Sequence, residues 1–172
     1  MTEKAFKELF AGIRDGDTDS FVTVYEELKQ PVYTICLRIT QSKEIAEDIT
    51  HDVFVKLFYS PPDASVKNVR AWVFQVARNL SIDALRKNTR TVGLETEIEA
   101  PDAYFRIHLQ MDMESAFGRL PREEREILAL HLGGDLSFRE IAAIVGLSSP
   151  AVYRKYRKGL KRLQEDLKGG SL

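Results

Sequence analysis

A cluster of basic side chains near the carboxyl end is the part of this sequence best suited to bind a polyanion. Residues 150–164 contain six lysines and arginines and no acidic residue. Helical spacing places Val152, Tyr156, Leu160 and Leu163 on one face and leaves basic side chains on much of the other. A solvated surface helix usually mixes glutamate with lysine for i,i+4 pairing, and this stretch does not. Its one-sided charge predicts a helix that neutralises the phosphates of DNA.

A second helix and a tight turn come just before this basic stretch. Ser137 and Glu140 have the spacing of a capping box, in which both side chains satisfy free amides at a helix start. Gly146 ends that helix, because glycine tolerates the positive φ of the residue just past a helix end. The turn follows at residues 147–149. Residues 137–163 therefore predict a helix-turn-helix whose second helix enters the major groove of DNA.

The charges of the whole chain are nearly balanced, but they are distributed in blocks. The 172 residues carry 25 basic and 26 acidic side chains, so the net charge gives no support for a nucleic-acid partner. Residues 67–90 nevertheless contain six basic residues and one acidic residue, and residues 119–172 contain eleven and seven. A solvated helical protein can also carry its charge in blocks. The charge of block 67–90 alone therefore does not identify a second DNA-binding surface, and sequence motifs are needed to support one.

Apolar residues recur at helical spacing along most of the chain, whereas alternating strand-like runs are missing, so the sequence predicts an all-α fold. Cys36 falls among apolar residues and is predicted to be a core position. We expect four amino-terminal helices: one ending near Asp15-Gly16-Asp17, one from about Asp19 to Thr40 that Pro31 can kink, one stopping at Ser60-Pro61-Pro62, and one from about Val69 to Lys87.

The apolar periodicity fades over residues 88–107, where glutamates and Pro101 predict an acidic linker. Helical patterning resumes over residues 111–120 and again from Pro121, a residue tolerated in a first helical turn. The predicted organisation is a helical domain at 1–90, a flexible acidic linker at 91–110 and a second helical domain at 111–172.

Several classes of protein are excluded by the composition. One cysteine cannot form an intrachain disulfide. The amino terminus lacks the pattern of a secretory signal, and no apolar run approaches the roughly 18 residues of a membrane span, so we expect a cytoplasmic protein without membrane insertion. A metal site of the di-iron bundle type needs Glu-x-x-His pairs. None of His51, His108 and His131 has glutamate three residues before it, and no metal or cofactor is expected.

Several segments in order resemble the extracytoplasmic-function (ECF) sigma factors of the sigma-70 family. Ala46–Phe54 (AEDITHDVF), followed by Trp72 and Ala77–Lys87 (ARNLSIDALRK), resembles region 2 of that family, and Leu120–Leu163 is similar to region 4. The resemblance covers both predicted domains with the linker between them. No single motif is decisive, and the order and spacing of the segments carry the resemblance.

The resemblance implies a subunit that binds core RNA polymerase and gives it promoter recognition, without being an enzyme itself. In the family, the helix that corresponds to the one around Asp48 docks on the coiled coil of the largest core subunit. The expected contacts are Glu47, Asp48, His51 and Asp52, of which the last two replace a frequent Gln-Glu pair. Members of this family are commonly held by an anti-sigma protein, so such a partner is expected as well.

The resemblance assigns residues 67–90 to the surface that melts the promoter and recognises its −10 element. Opening a duplex requires capture of a flipped base, while basic residues hold the exposed strand. Trp72 and Asp83 fit either DNA contact or packing within the protein. The expected contacts are Lys67, Asn68 and Arg70 at the entry to the helix, and Arg78, Asn79, Arg86 and Lys87 on the helix itself.

Region 4 would recognise the −35 element through the second helix of the helix-turn-helix. Pro150, Ala151 and Tyr153 stand where glycine, threonine and a basic residue are usual in the family, so the preferred promoter sequence cannot be inferred. The expected contacts are Ser149, Ala151, Tyr153, Arg154, Arg157, Lys158 and Lys161.

Two other functions are compatible with parts of the sequence. A stand-alone helix-turn-helix regulator with a helical sensor domain would bind DNA but not core polymerase. A helical adaptor would use its basic helix to bind an acidic protein and would lack specific affinity for DNA.

Overall fold

The computed structural model describes residues 1–91 and 113–169, and within these ranges every regular element is an α-helix. The all-α class predicted from the apolar periodicity is confirmed. The predicted linker falls almost entirely outside the described residues. The helices are α1 (Glu3–Arg14), α2 (Thr18–Thr40), α3 (Lys43–Tyr59), α4 (Val69–Thr91), α5 (described over 113–118), α6 (Arg122–Gly134), α7 (Phe138–Val145) and α8 (Ser149–Gly169).

Short polar side chains fix where the first three helices begin. The Thr2 hydroxyl accepts a hydrogen bond from the Ala5 amide at 3.3 Å, and the Asp17 carboxylate accepts from the amides of Asp19 and Ser20. Ser42 caps α3 in the same way. Each cap satisfies amides that the first turn of a helix leaves free and so stabilises the helix start.

The core of this bundle is centred on α2, which packs against α1, α3 and α4. Phe10, Leu28, Ile35 and Phe74 are fully buried there. Cys36 is fully buried as well, which confirms the prediction that it is a core position.

Helix α2 includes Pro31 in its interior. Two predicted details differ from the structure. Helix α4 extends four residues past Lys87 to Thr91. Pro121 is the residue before α6 rather than part of its first turn, with an extended ψ of 142°. These differences lie at helix ends and at one proline, where sequence patterns define structure least well.

Helix α6 holds the carboxyl-terminal helices together. Its residues 126–130 are all buried, because α2 packs on one side of it and α7 and α8 pack on the other. Helix α8 approaches α6 closely at Gly159, where an added Cβ would lie 2.9 Å from Leu128 Cδ1 and 3.1 Å from Glu124 Cβ. A side chain at this position would therefore push the two helices apart.

A seam, formed by the end of α6 against α2 and α4, joins the two helical units. An added Cβ at Gly134 would lie 3.1 Å from the ring of Phe74, and one at Gly133 would lie 3.2 Å from Ile35. The two glycines let the backbone of α6 approach the amino-terminal bundle directly.

No helix within residues 1–91 or 113–169 combines the length and the apolarity that crossing a bilayer requires.

Burial should make Cys36 chemically inert in the native protein. It raises the pKa of the Cys36 thiol to about 11, and the thiolate is the reactive form. We expect a disulfide reagent at neutral pH to modify the native chain far more slowly than the chain unfolded in guanidinium, as measured by release of the reagent's chromophore. Equal rates in the two states would show that the thiol is accessible.

Candidate functional site

The six basic residues in the stretch 150–164 of α8 divide into two groups. Lys155 forms an ion pair with Glu123, and Arg162 forms one with Glu124 at 3.2 Å, so these two side chains turn inward toward α6. The remaining four are exposed and point away from the protein: Arg154, Arg157, Lys158 and Lys161. Of these, Lys161 lies 3.8 Å from Glu165 in a surface pair. The outward face of α8 is therefore cationic, while its inward charges are neutralised.

The amino-terminal turn of α8 is formed by small polar residues. The Ser148 hydroxyl accepts a hydrogen bond from the Ala151 amide at 3.3 Å and caps the helix. Ser149 and Ala151 are half-buried beside it. In a helix-turn-helix, this end of the second helix is the part that reaches base edges.

Tyr153 and Arg157 form a pair on the exposed face. Tyr153 is 45% exposed. Arg157 Nη1 donates to the Tyr153 hydroxyl at 3.2 Å, and the guanidinium lies 5.9 Å from the centre of the ring. Phe138 packs edge-on against the same ring at 5.4 Å. Tyr153 therefore restricts where Arg157 can point.

An aromatic cluster fixes α8 relative to α6 and α7. The His131 ring stacks on Phe138 at 4.7 Å and meets Tyr156 edge-on at 4.8 Å. Its Nδ1 lies 2.7 Å from the Leu136 carbonyl oxygen. The predicted capping box is present as well, with Ser137 and Glu140 each satisfying the other's amide. Gly146 ends α7 at a φ of 72°, so the predicted helix-turn-helix is the observed local structure.

The acidic candidates share the exposed side of α3. Glu47, Asp48, His51 and Asp52 are all exposed, and none of them forms an ion pair within residues 1–91 and 113–169. Ile49 and Val53 face the core on the other side of the helix, so α3 presents charge outward while it anchors the bundle.

The seven candidates in and before α4 are divided between solvent and the seam. Four of them are exposed: Lys67, Asn79, Arg86 and Lys87. Arg86 lies 3.7 Å from Asp83, its neighbour one turn earlier. The other three, Asn68, Arg70 and Arg78, contact the carboxyl-terminal unit.

The contacts of these three residues are specific. Arg78 Nη2 donates to Glu126 Oε2 at 2.9 Å, and Glu126 also accepts from Arg122 at 3.0 Å. Arg70 donates to the Gly134 carbonyl at 3.2 Å. Asn68 donates through its side-chain amide to Glu140. Three of the seven residues predicted to contact DNA near the −10 element thus contact the carboxyl-terminal unit instead of solvent.

The carboxylate of Glu140 remains charged in this arrangement. Its partial burial would raise the pKa, but hydrogen bonds from Ser137 and Asn68 and the nearby Arg70 charge hold the pKa below its usual range. A charged Glu140 therefore connects the capping box of α7 to the entrance of α4.

Sequence reasoning did not identify the acidic partners in the seam. Glu126 is only 5% exposed, and its partner Arg78 lies 48 residues earlier in the chain. Trp72, for which packing and DNA contact were both open, is half-buried against the core. Within the described ranges, no three histidine, cysteine, aspartate or glutamate side chains lie close enough to hold a metal ion.

Two family matches cover most of the chain. Residues 24–91 match Sigma-70 region 2, and residues 110–163 match Sigma-70 region 4. Among curated relatives, the ECF RNA polymerase sigma factor RpoE of Cereibacter sphaeroides is 28% identical over 97% of this chain and 99% of its own length. The ECF RNA polymerase sigma factor SigW of Bacillus subtilis is 22% identical over 96% and 98%.

Two solved structures share the fold. CnrH, in complex with the cytosolic domain of CnrY, has a TM-score of 0.74 at 21% identity and covers 97% of this chain and 99% of its own. The sigma factor RpoE in complex with the anti-sigma factor NepR, from Bartonella quintana, has a TM-score of 0.71 at 24% identity and covers 86% and 96%.

Removal of the Glu126 carboxylate should weaken the seam. Glu126→Ala leaves the half-buried Arg78 without its partner, and we expect a loss of about 1–3 kcal/mol in the free energy of unfolding. Urea titration measures this loss, and small-angle X-ray scattering should show a larger radius of gyration.

The matched control is Glu165→Ala, which removes an exposed carboxylate 3.8 Å from Lys161. Surface pairs of this kind contribute about 0–1 kcal/mol, and the radius of gyration should stay unchanged. Equal effects of the two variants would mean that the pair between Arg78 and Glu126 does not hold the units together.

Proposed function

The chain belongs to the sigma-70 family as an ECF sigma factor, and we propose that it binds core RNA polymerase and directs it to promoters by recognising their −35 and −10 elements. It is an alternative sigma factor of transcription initiation. A stand-alone helix-turn-helix regulator is not favoured, because region 2 matches most of the amino-terminal unit. Sigma factors are non-catalytic, and we propose no enzymatic activity for this chain.

The exposed side of α3 is our proposed contact for core polymerase. Glu47, Asp48, His51 and Asp52 occupy successive turns of one helix face and are open to solvent. Carboxylates in this arrangement attract a basic partner surface and orient it before contact. The core subunit's coiled coil, which the family resemblance implies, is the partner we assign to this face.

The outward face of α8 is our proposed contact for the −35 element. Arg154, Arg157 and Lys158 are exposed cations on the second helix of a helix-turn-helix, the geometry that places side chains in the major groove. Lys161 lies further along the helix and is suited to a phosphate. Ser149, Ala151 and Tyr153 complete the proposed surface at the amino-terminal end.

Recognition of the −10 element requires a rearrangement in this proposal. Lys67, Asn79, Arg86 and Lys87 are exposed already. Asn68, Arg70 and Arg78 have partners in the carboxyl-terminal unit, so they become available for single-stranded DNA only when the seam opens. We therefore propose two domains, 1–90 and 111–172, joined by a flexible acidic linker at 91–110 that permits this separation.

An anti-sigma factor is the proposed regulator. The similar RpoE of Bartonella quintana was solved with the anti-sigma factor NepR, and CnrH, which this chain matches with a TM-score of 0.74, was solved with the cytosolic domain of CnrY. A partner that stabilises the closed seam would keep Arg78 from DNA. Because polymerase and promoter are its proposed partners, we propose that the protein acts in the cytoplasm.

The observation that carries the proposed function is the succession of region 2 and region 4 on one chain, with an outward cationic face on α8. The test is transcription reconstituted from core polymerase, the purified chain and a promoter mapped by transcript 5′ ends after induced expression. Transcription should start at that promoter only when the chain is present. Failure of the chain to bind core polymerase would contradict the proposal.

The α3 contact can be tested with one carboxylate. Asp48→Ala should weaken binding to core polymerase by roughly 10- to 150-fold, the loss expected for one charge-assisted contact of about 1.5–3 kcal/mol. The exposed position of Asp48 should leave the thermal midpoint unchanged. Glu8→Ala, which removes an exposed carboxylate from α1, is the matched control and should bind normally. An unaltered core titration for Asp48→Ala would remove this residue from the contact.

The α8 contact can be tested with two neighbouring cations. Arg154→Ala should weaken binding to the upstream promoter element by roughly 1–3 kcal/mol if the guanidinium contacts a base bidentately. Lys155→Ala is the control, since Lys155 pairs with Glu123 on α6 and faces inward. Electrophoretic mobility shifts with the −35 duplex measure both. If the two variants lose the same affinity, the division of α8 into inward and outward cations does not govern DNA binding.

A further inference from the structure

Helix α1 holds both ends of the loop that leads into α4. This entry loop, residues 60–68, connects α3 to α4 and carries two of the proposed −10 contacts. Near its beginning, Arg14 Nη1 donates to the Pro62 carbonyl oxygen at 3.0 Å. Just past its end, Glu3 Oε1 accepts a hydrogen bond from the Val69 amide at 3.0 Å. A single helix therefore sets where the loop begins and where it ends.

Helix α1 is itself anchored in the amino-terminal bundle. Phe6 and Phe10 are 2% and 0% exposed, and α1 packs against both α2 and α4. Glu3 precedes Phe6 by three residues and Arg14 follows Phe10 by four, so both polar residues lie beside the buried face. The Arg70 guanidinium, a further proposed −10 contact, lies 5.6 Å from the centre of the Phe6 ring. The bundle core thus determines the positions from which α1 reaches the loop and the start of α4.

The entry loop is shaped by short polar side chains within it. Asp63 Oδ1 accepts a hydrogen bond from the Ser65 amide at 2.9 Å. Hydrogen bonds from Ser65 and the nearby Arg14 charge hold the pKa of Asp63 below its usual range. Asn68 Oδ1 accepts from the Ala71 amide at 2.8 Å and caps α4. The loop therefore has a defined turn toward each end, and α1 determines where those turns lie.

The contacts from α1 do not depend on the seam. Asn68 also donates to Glu140 of α7, and that contact is lost when the two units separate. Arg14 and Glu3 belong to the same unit as the entry loop, so separation leaves their contacts in place. The loop can then present Lys67 and Asn68 in the same positions before and after opening.

We infer that α1 is the support for −10 recognition, and that Arg14 and Glu3 are positioning residues that act through the entry loop without touching DNA. A site held in its binding conformation binds more tightly, because less conformational freedom is lost on binding. The match to Sigma-70 region 2 begins at residue 24, so α1 lies outside the segment that it identifies. The inference rests on the proposed function and adds two residues that the sequence did not single out.

Glu3 provides a test in which charge and positioning predict opposite signs. Removal of a carboxylate favours DNA binding if charge alone matters, because phosphates are repelled less. We expect instead that Glu3→Ala, in holoenzyme reconstituted with core polymerase, binds a single-stranded −10 oligonucleotide about three- to tenfold more weakly. Fluorescence anisotropy measures this affinity. Glu3→Gln keeps an acceptor for the Val69 amide and should bind as wild type does.

The matched control for Glu3→Ala is Glu8→Ala. It removes the same charge from an exposed site on the same helix, where Glu8 lies 4.0 Å from Lys4. The control should not weaken binding to the −10 oligonucleotide. Affinity for core polymerase, affinity for a −35 duplex and the thermal midpoint should be unchanged in all three variants.

Arg14 separates positioning from direct DNA contact through base preference. Arg14→Ala should lower the ratio of affinities for the mapped −10 strand and for a strand with one −10 base changed, because a loosened loop accommodates the wrong base. Arg14→Lys keeps a donor for the Pro62 carbonyl and should restore that ratio. A residue that contacts only phosphate would weaken binding to both strands about equally.

Each contrary result has a distinct meaning. If the wild-type holoenzyme does not prefer the mapped −10 strand, the proposed function and this inference fail together. If it does, and both alanine variants keep its affinity and preference, only the role of α1 is overturned. Tighter binding by Glu3→Ala, or an equal loss on both strands for Arg14→Ala, would show that these residues act by charge and would overturn the inference as well. Should Arg14→Ala not fold, the Glu3 variants decide the question.

Discussion

The close approach of α6 to the amino-terminal bundle is the constraint on which the rest of the arrangement depends. Gly133 and Gly134 leave no side chain between the α6 backbone and Ile35 and Phe74. With that gap closed, Glu126 comes within 2.9 Å of Arg78, and Arg70 reaches the carbonyl of Gly134. Apolar contact thus sets the distance between α6 and the amino-terminal bundle. The ion pair and the hydrogen bond orient the two units relative to each other, because their geometry is directional.

The same helix determines which charges of α8 face outward. Glu123 and Glu124 draw in Lys155 and Arg162, and the close approach of α8 at Gly159 makes those pairs geometrically accessible. The other cations have no acidic counterpart on α6 and extend into solvent. The basic stretch 150–164 of α8 therefore has an inner face whose charges are neutralised and an outer face that is cationic, and this asymmetry suits DNA binding.

Helix α4 has two faces with different partners. Arg70, Phe74 and Arg78 recur every four residues and meet the carboxyl-terminal unit in the seam. Asn79 and Arg86, seven residues apart, lie on another face and are exposed. One helix can therefore close the molecule and still present part of a DNA-binding surface. Separation of the two units would add Asn68, Arg70 and Arg78 to that surface. The contacts that these residues make in the seam would then be lost.

The sequence by itself determined the local structure, because capping, turns and apolar periodicity act between neighbouring residues. It predicted the all-α class, the capping box of Ser137 and Glu140, the turn at Gly146 and the basic helix that follows. Only the tertiary structure decided that α6 is buried on both sides and that Arg78 is paired with Glu126, 48 residues away. Nothing in either residue's neighbourhood encodes that pairing, since it depends on how closely two helices approach through glycines distant in the chain. The orientation of Lys155 toward Glu123 has the same origin, so the division of α8 into a neutralised inner face and a cationic outer face follows from packing rather than from sequence.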